Sequence, residues 1–145
     1  MSPDGRLTVL RPREASILAA LTDAFVAPAP PLPHVRDTDT AFAADANLQA
    51  APQANRLLLR AGLLAIEVAP LALGFGARLR RLDPAARTAA LDRLERGPAA
   101  PLLKGLRTLA HLSYYGDPAV MRLLGYDADA VVARAADLRA RERRW

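Results

Sequence analysis

Residues 101–118 read PLLKGLRTLAHLSYYGDP. Leu102, Leu103, Leu106, Leu109, Ala110 and Leu112 carry one α-helix through to Tyr114-Tyr115. A start near Pro98 to Pro101 suits proline, whose missing N–H costs nothing in a first helical turn. Gly116 ends the helix after Tyr114-Tyr115. Asp117-Pro118 is a fresh start signal, a capping carboxylate followed by proline at the first helical position, for a short helix with Val120, Met121 and Leu124.

The same grammar runs outward from this stretch. Asp83-Pro84 opens a helix that reaches about Arg96 and is closed by Gly97-Pro98. Pro12 or Arg13 opens the first helix, in which Ile17, Leu18, Leu21 and Phe25 form one apolar stripe that stops before Pro28. Asp37 or Asp39 can cap a short second helix carrying Phe42 and Leu48. Pro52 starts a third with Leu57, Leu58, Leu63, Leu64, Ile66 and Val68, apolar on most of its circumference and therefore expected to be central and buried. Pro70 should end or kink it, and Leu71 to Gly76 reads as a glycine-broken turn holding Phe75. After Gly125-Tyr126, Asp127 or Asp129 starts the last helix, with Val131, Val132, Ala135 and Leu138 as its inner stripe. No segment alternates apolar and polar residues as a half-buried strand would. The reading is an all-α fold, a compact bundle of about five to seven helices. It forms a single domain over residues 1–145, with residues 1–11 as a flexible or extended arm and residues 27–36 as a Pro-rich connector after the first helix. Pro28, Pro30, Pro31 and Pro33 should hold that connector extended, in polyproline II. A stiff connector and a PxxP ligand are its two readings.

Composition narrows the chemistry. The 145 residues contain no Cys, which excludes a disulfide framework, a thiolate zinc site, an iron–sulfur cluster and a cysteine nucleophile. His34 and His111 are the only histidines, a poor basis for a metal site. No phosphate-binding glycine loop, H-E-x-x-H or G-x-S-x-G motif is present. His111 could act as a base near neutral pH, but Ser113, two residues on, does not share its helical face. Glu67 stands on the most apolar helix, where a carboxylate needs a partner. Arg60 is on the same face but seven residues away, so structural pairing, a partner-facing contact and catalysis all stay open. No cofactor is expected in this chain.

The net charge is +5, from 20 basic and 15 acidic residues. Nineteen of the basic residues are Arg, alongside 32 Ala and 12 Pro, a set that a GC-rich coding bias raises together. The Arg residues are scattered among acids except in the tail, Arg139 to Arg144. A small basic helical protein that binds nucleic acid or has a regulatory role is the alternative reading, with binding that would fall steeply with salt. The most apolar window, Leu57 to Phe75, is broken by Arg60, Gly62, Glu67, Pro70 and Gly74. A membrane span needs about 20 apolar residues with few charges, so none is expected. With neither a signal peptide nor a twin-arginine signal, the expected compartment is the cytoplasm, and the periplasm only by co-export with a partner.

Three of the seven aromatic residues, Tyr114, Tyr115 and Tyr126, gather around one short helix. Tyrosine combines a large apolar ring with a hydroxyl that seeks a partner, which suits interfaces as well as helix-end packing. Residues 107–118, followed by Leu123-Leu124-Gly125-Tyr126, resemble the C-terminal pattern of the gluconate 2-dehydrogenase subunit 3 family, the small or gamma subunits of FAD-dependent dehydrogenases. There a helix ends in two aromatics, turns through a Pro-containing segment and reaches a Gly-Tyr pair. Glu14-Ala15 through Phe25 to Pro28 is similar to that family's opening helix and Pro-containing loop. About 20 residues match well, and the rest only as helices. The resemblance implies a non-catalytic accessory subunit that binds and stabilises a large flavoprotein of the glucose–methanol–choline oxidoreductase group. The partner would carry the FAD, and the family pattern allows a cytochrome subunit in the complex. The expected interface is Tyr114, Tyr115 and Tyr126, with Phe75, Pro30 and Pro31.

Overall fold

The computed structural model describes residues 6–142. Residues 1–5 of the expected arm, and Arg143 and Arg144 of the basic tail, lie outside that range. The chain is all-α, and no strand occurs among the described residues. Its helices are α1 (Pro12–Val26), α2 (Thr40–Ala50), α3 (Gln53–Ala72), α4 (Pro84–Glu95), α5 (Ala100–Tyr115), α6 (Pro118–Leu123) and α7 (Ala128–Glu142). Single 3-10 turns stand at Val35–Asp37 and Leu79–Arg81.

The central helix is α5, which packs against α1, α2, α3, α4 and α6. Its inward residues Leu103, Leu106 and Leu109 meet Ile17, Leu18 and Leu21 of α1, Ala44 and Leu48 of α2, and Leu63 and Ile66 of α3 in one continuous core. Helix α3 lies close because Gly62 carries no side chain: a Cβ there would press on the methyl groups of Leu102. Asp83 caps α4 by accepting the Ala86 N–H at 2.9 Å, and Asp117 caps α6 by accepting from Ala119 and Val120 at 2.8 and 3.2 Å. Both match the Asp-Pro signals in the sequence.

Four expectations are corrected. Helix α3 is not buried all round. Leu63, Ile66 and Glu67 face the core, while Leu57 and Leu58 remain 57% and 64% exposed and Leu64, Val68 and Leu71 are also exposed. Composition does not set how many neighbours a helix acquires, and the helices packed on α3 cover only one side of it. The stripe on α7 is not an inner one: Val131, Val132 and Leu138 are all exposed, because the bundle around α5 is already closed by five other helices. The Pro-rich connector is not extended throughout. A turn closes at Pro30-Pro31, with the Leu32 N–H donating to Ala29 at 2.9 Å, and the Pro30–Pro31 peptide is cis. Asp39 precedes α2, but its side chain makes no cap bond.

Residues 8–10 bend around one carboxylate of α2, which ties the chain before α1 to that helix. Asp45 accepts the N–H groups of Thr8, Val9 and Leu10 at 2.8, 2.9 and 2.6 Å, and the Thr8 hydroxyl at 2.7 Å. These bonds seat Leu10 in the core.

Glu67 is 1% exposed, and its partner is Arg80. The Arg80 guanidinium donates to Oε1 at 3.0 Å, and its backbone N–H donates to Oε2 at 3.3 Å. Arg60 pairs instead with buried Glu14, at 3.0 and 3.2 Å. Removing either member of a buried pair is costly because it leaves the other charge uncompensated. Here the two sides are unequal, since the Arg80 side chain keeps 30% of its exposure and Glu67 only 2%. Arg80→Ala, which strands the carboxylate, is expected to lose about 2–4 kcal/mol. Glu67→Gln, which keeps an acceptor and leaves an Arg able to rehydrate, should lose about 1 kcal/mol. Urea unfolding of the two variants checks the order, and equal losses would contradict it.

Candidate functional site

The segment 109–126 sorts its residues by direction. Leu109, Ala110, Ser113, Tyr114, Asp117 and Val120 point inward and are buried; Leu112, Tyr115, Leu123, Leu124 and Tyr126 point outward and are exposed. Tyr114 and Tyr115 are consecutive on α5, so about 100° of helix separates their rings.

Tyr114 has no exposed surface. Its ring packs with Val35 and Val120, against Ala19, Val26 and Leu32, and its hydroxyl donates to the Pro33 carbonyl at 2.6 Å. Burial, together with the nearby Tyr115, Asp117 and Asp23, pushes the phenol above its ordinary pKa, so it remains a donor at any physiological pH. Tyr114 is therefore the pin that holds the Pro-rich connector to the end of α5. That corrects the interface expectation for this residue, because no partner can reach its ring.

Tyr115 is 40% exposed. It stands edge-on to Tyr114 at 5.3 Å and to His111 at 6.0 Å between ring centroids, which fixes a surface aromatic at low conformational cost. His111 and Ser113 do not form a catalytic pair: the Ser113 hydroxyl accepts from Asn47 of α2 at 3.4 Å. Gly116 lets the chain turn here, since a Cβ at that position would lie 2.6 Å from the Leu112 carbonyl oxygen. Beyond it, the free oxygen of Asp117 accepts the Asp39 N–H at 2.9 Å. One carboxylate thus caps α6 and also anchors the start of α2.

Tyr126 and Phe75 occupy equivalent positions in two copies of one local motif. Gly125 and Gly74 have φ of 74° and 85°, the left-handed conformation that glycine adopts without strain. The Tyr126 N–H reaches back to Met121 at 2.9 Å and the Gly125 N–H to Arg122 at 3.0 Å; Phe75 reaches Pro70 at 3.0 Å and Gly74 reaches Leu71 at 3.3 Å. This is the double bond of a Schellman helix end. The aromatic that follows each glycine is thereby set on the surface at a helix terminus, with Tyr126 51% exposed and Phe75 half-buried. Tyr126 also lines an open cleft of about 580 Å³ with Met121, Arg122, Asp127 and Asp129, where α6 turns into α7.

The predicted set is thus brought together only in part. Tyr114 joins Tyr115 to the connector that displays Pro30 and Pro31, both exposed. Among the described residues the ring contacts of Tyr115 are with Tyr114 and His111, and include neither Phe75 nor Tyr126. The sequence reading missed the outward group Leu112, Leu123 and Leu124. Its signal was there, in apolar residues off the inward stripe of α5 and at the end of a helix too short to bury two faces. Among the described residues no group of three or more His, Asp or Glu could hold a metal ion, and no helix is long and apolar enough to cross a membrane. No protein-family model, curated protein or solved structure matches the chain.

Proposed function

We propose that this chain is a non-catalytic accessory subunit that binds and stabilises a large FAD-dependent oxidoreductase of the glucose–methanol–choline group. The observation that carries the reading is the division of labour within the segment that resembles the gluconate 2-dehydrogenase small subunits. Its inward residues build the core, and its outward residues, Leu112, Tyr115, Leu123, Leu124 and Tyr126, leave an apolar and aromatic surface uncovered. Aromatic anchors among apolar neighbours are the usual material of an interface centre. A subunit that binds the folded partner and not the unfolded one raises the partner's stability by mass action. The flavin and the redox chemistry then belong to the partner.

The test is a binding titration against the flavin dehydrogenase that co-purifies with the chain from its own host. Tyr115→Ala with Tyr126→Ala is expected to weaken binding at least about tenfold, while the melting temperature of the isolated chain hardly moves. Undiminished affinity in the double variant would retire this surface as the docking site.

A further inference from the structure

The outer face of α3 is an apolar surface that the fold leaves bare among the described residues. Leu57, Leu58, Leu64, Val68 and Leu71 are exposed there, as are Ala61, Ala65 and Ala72 between them. They span about 140° of the helix and about 22 Å of its length, and no charged or polar residue falls inside that arc. The five large side chains alone present on the order of 500 Å² of apolar area, at the upper end of what a monomer usually exposes.

The pattern on this face is its own complement. Set against a second copy running antiparallel about a two-fold axis between residues 64 and 65, Ala61 falls level with Val68, Leu64 with Ala65, and Leu57 with Ala72. A large residue meets a small one at each of these levels, the condition for side chains to interdigitate. Leu58 and Leu71 also fall level, on opposite flanks of the seam. An isologous contact of this kind closes as a dimer and leaves no sticky end. With two faces of that size and their alanines covered, the buried area reaches the roughly 1,000 Å² that a specific interface needs.

We infer that the chain forms a two-fold homodimer through antiparallel packing of α3 on α3 of a second copy. Helix α3 plays no part in the docking proposed above, so the two surfaces stand or fall separately.

Sedimentation equilibrium on the purified full chain tests the association. A dimer with Kd in about the micromolar range is expected, and a chain that stays monomeric through that range overturns the inference. Leu64→Glu should give a folded monomer, since it places two like charges beside the axis at exposed positions. Ala65→Lys should do the same with the opposite sign, and a dimer that survives both substitutions also overturns it. The absence of cysteine gives a clean cross-linking test of direction. Ala61→Cys and Val68→Cys chains should each fail to form a disulfide alone and should form one when mixed, because only the mixed pair comes within the roughly 7 Å between Cα atoms that a disulfide tolerates. Self-cross-linking by either variant alone would overturn the antiparallel arrangement.

Discussion

Tyr114→Ala is expected to cost about 3–5 kcal/mol of folding stability and to lower Tm by roughly 10 °C or more. Three losses add up at this position. The ring is fully enclosed, so its removal leaves a cavity between Val35 and Val120. The Pro33 carbonyl loses its donor. The Pro-rich connector loses the contact that fixes its path between α1 and α2. Tyr114→Phe separates the contributions, because it keeps the ring and removes only the 2.6 Å bond; about 1 kcal/mol is expected. Tyr115→Ala, at a half-open surface, should cost under about 1 kcal/mol. Thermal unfolding of the three variants gives the order directly, and a Tyr115 variant as unstable as the Tyr114 one would contradict the inward and outward assignment.

Asp45→Asn is expected to cost about 2–4 kcal/mol and, unlike the other core changes, to do so in a pH-dependent way. The native carboxylate accepts four hydrogen bonds, three of them from consecutive backbone amides. An Asn side chain offers one acceptor oxygen and turns its NH2 toward whichever amide donors met the other, Thr8 on one side or Val9 and Leu10 on the other, beside a side chain itself only 2% exposed. Burial pushes the Asp45 pKa up, but the amides of Leu10, Thr8 and Val9 and the Thr8 hydroxyl outweigh it and hold the carboxyl below its ordinary value. A carboxyl whose pKa is lowered by folding stabilises the native state fully above its unfolded pKa. That contribution disappears as pH falls through the lower folded value. The gap in Tm between the native chain and Asp45→Asn should therefore be constant from neutral pH down to the ordinary carboxylate range and close in stronger acid. Hydrogen exchange at residues 8–10 should accelerate over the same interval. A gap that persists unchanged into strong acid would show that Asp45 does not hold the arm as an anion.

What the sequence made legible follows from the range of the forces involved. Asp83-Pro84 and Asp117-Pro118 each act within three residues, and the structure shows both caps where the sequence places them. The inward stripe on α5 was readable because one helix surrounded by five others needs a periodic apolar face. Helix α3 misled because a helix buried on one side and bare on the other has the same composition as one buried all round. What differs is the number of neighbours, which local sequence does not contain. The partners of Asp45 and Glu67 lie 35 and 13 residues away, so their pairing depends on how helices pack. Within the tyrosine pair, local sequence does not tell which ring faces inward. The two positions are adjacent, and a stripe ending in two aromatics leaves the phase of its last turn undecided.

Isolation of the tagged chain from its own host under mild conditions, with the mass and visible spectrum of the product, tests the proposed role most directly. The account predicts a complex with a second, much larger protein that carries flavin absorbance and loses stability when the small chain is removed. A colourless chain alone or paired only with itself, or one carrying nucleic acid that salt releases, would contradict it.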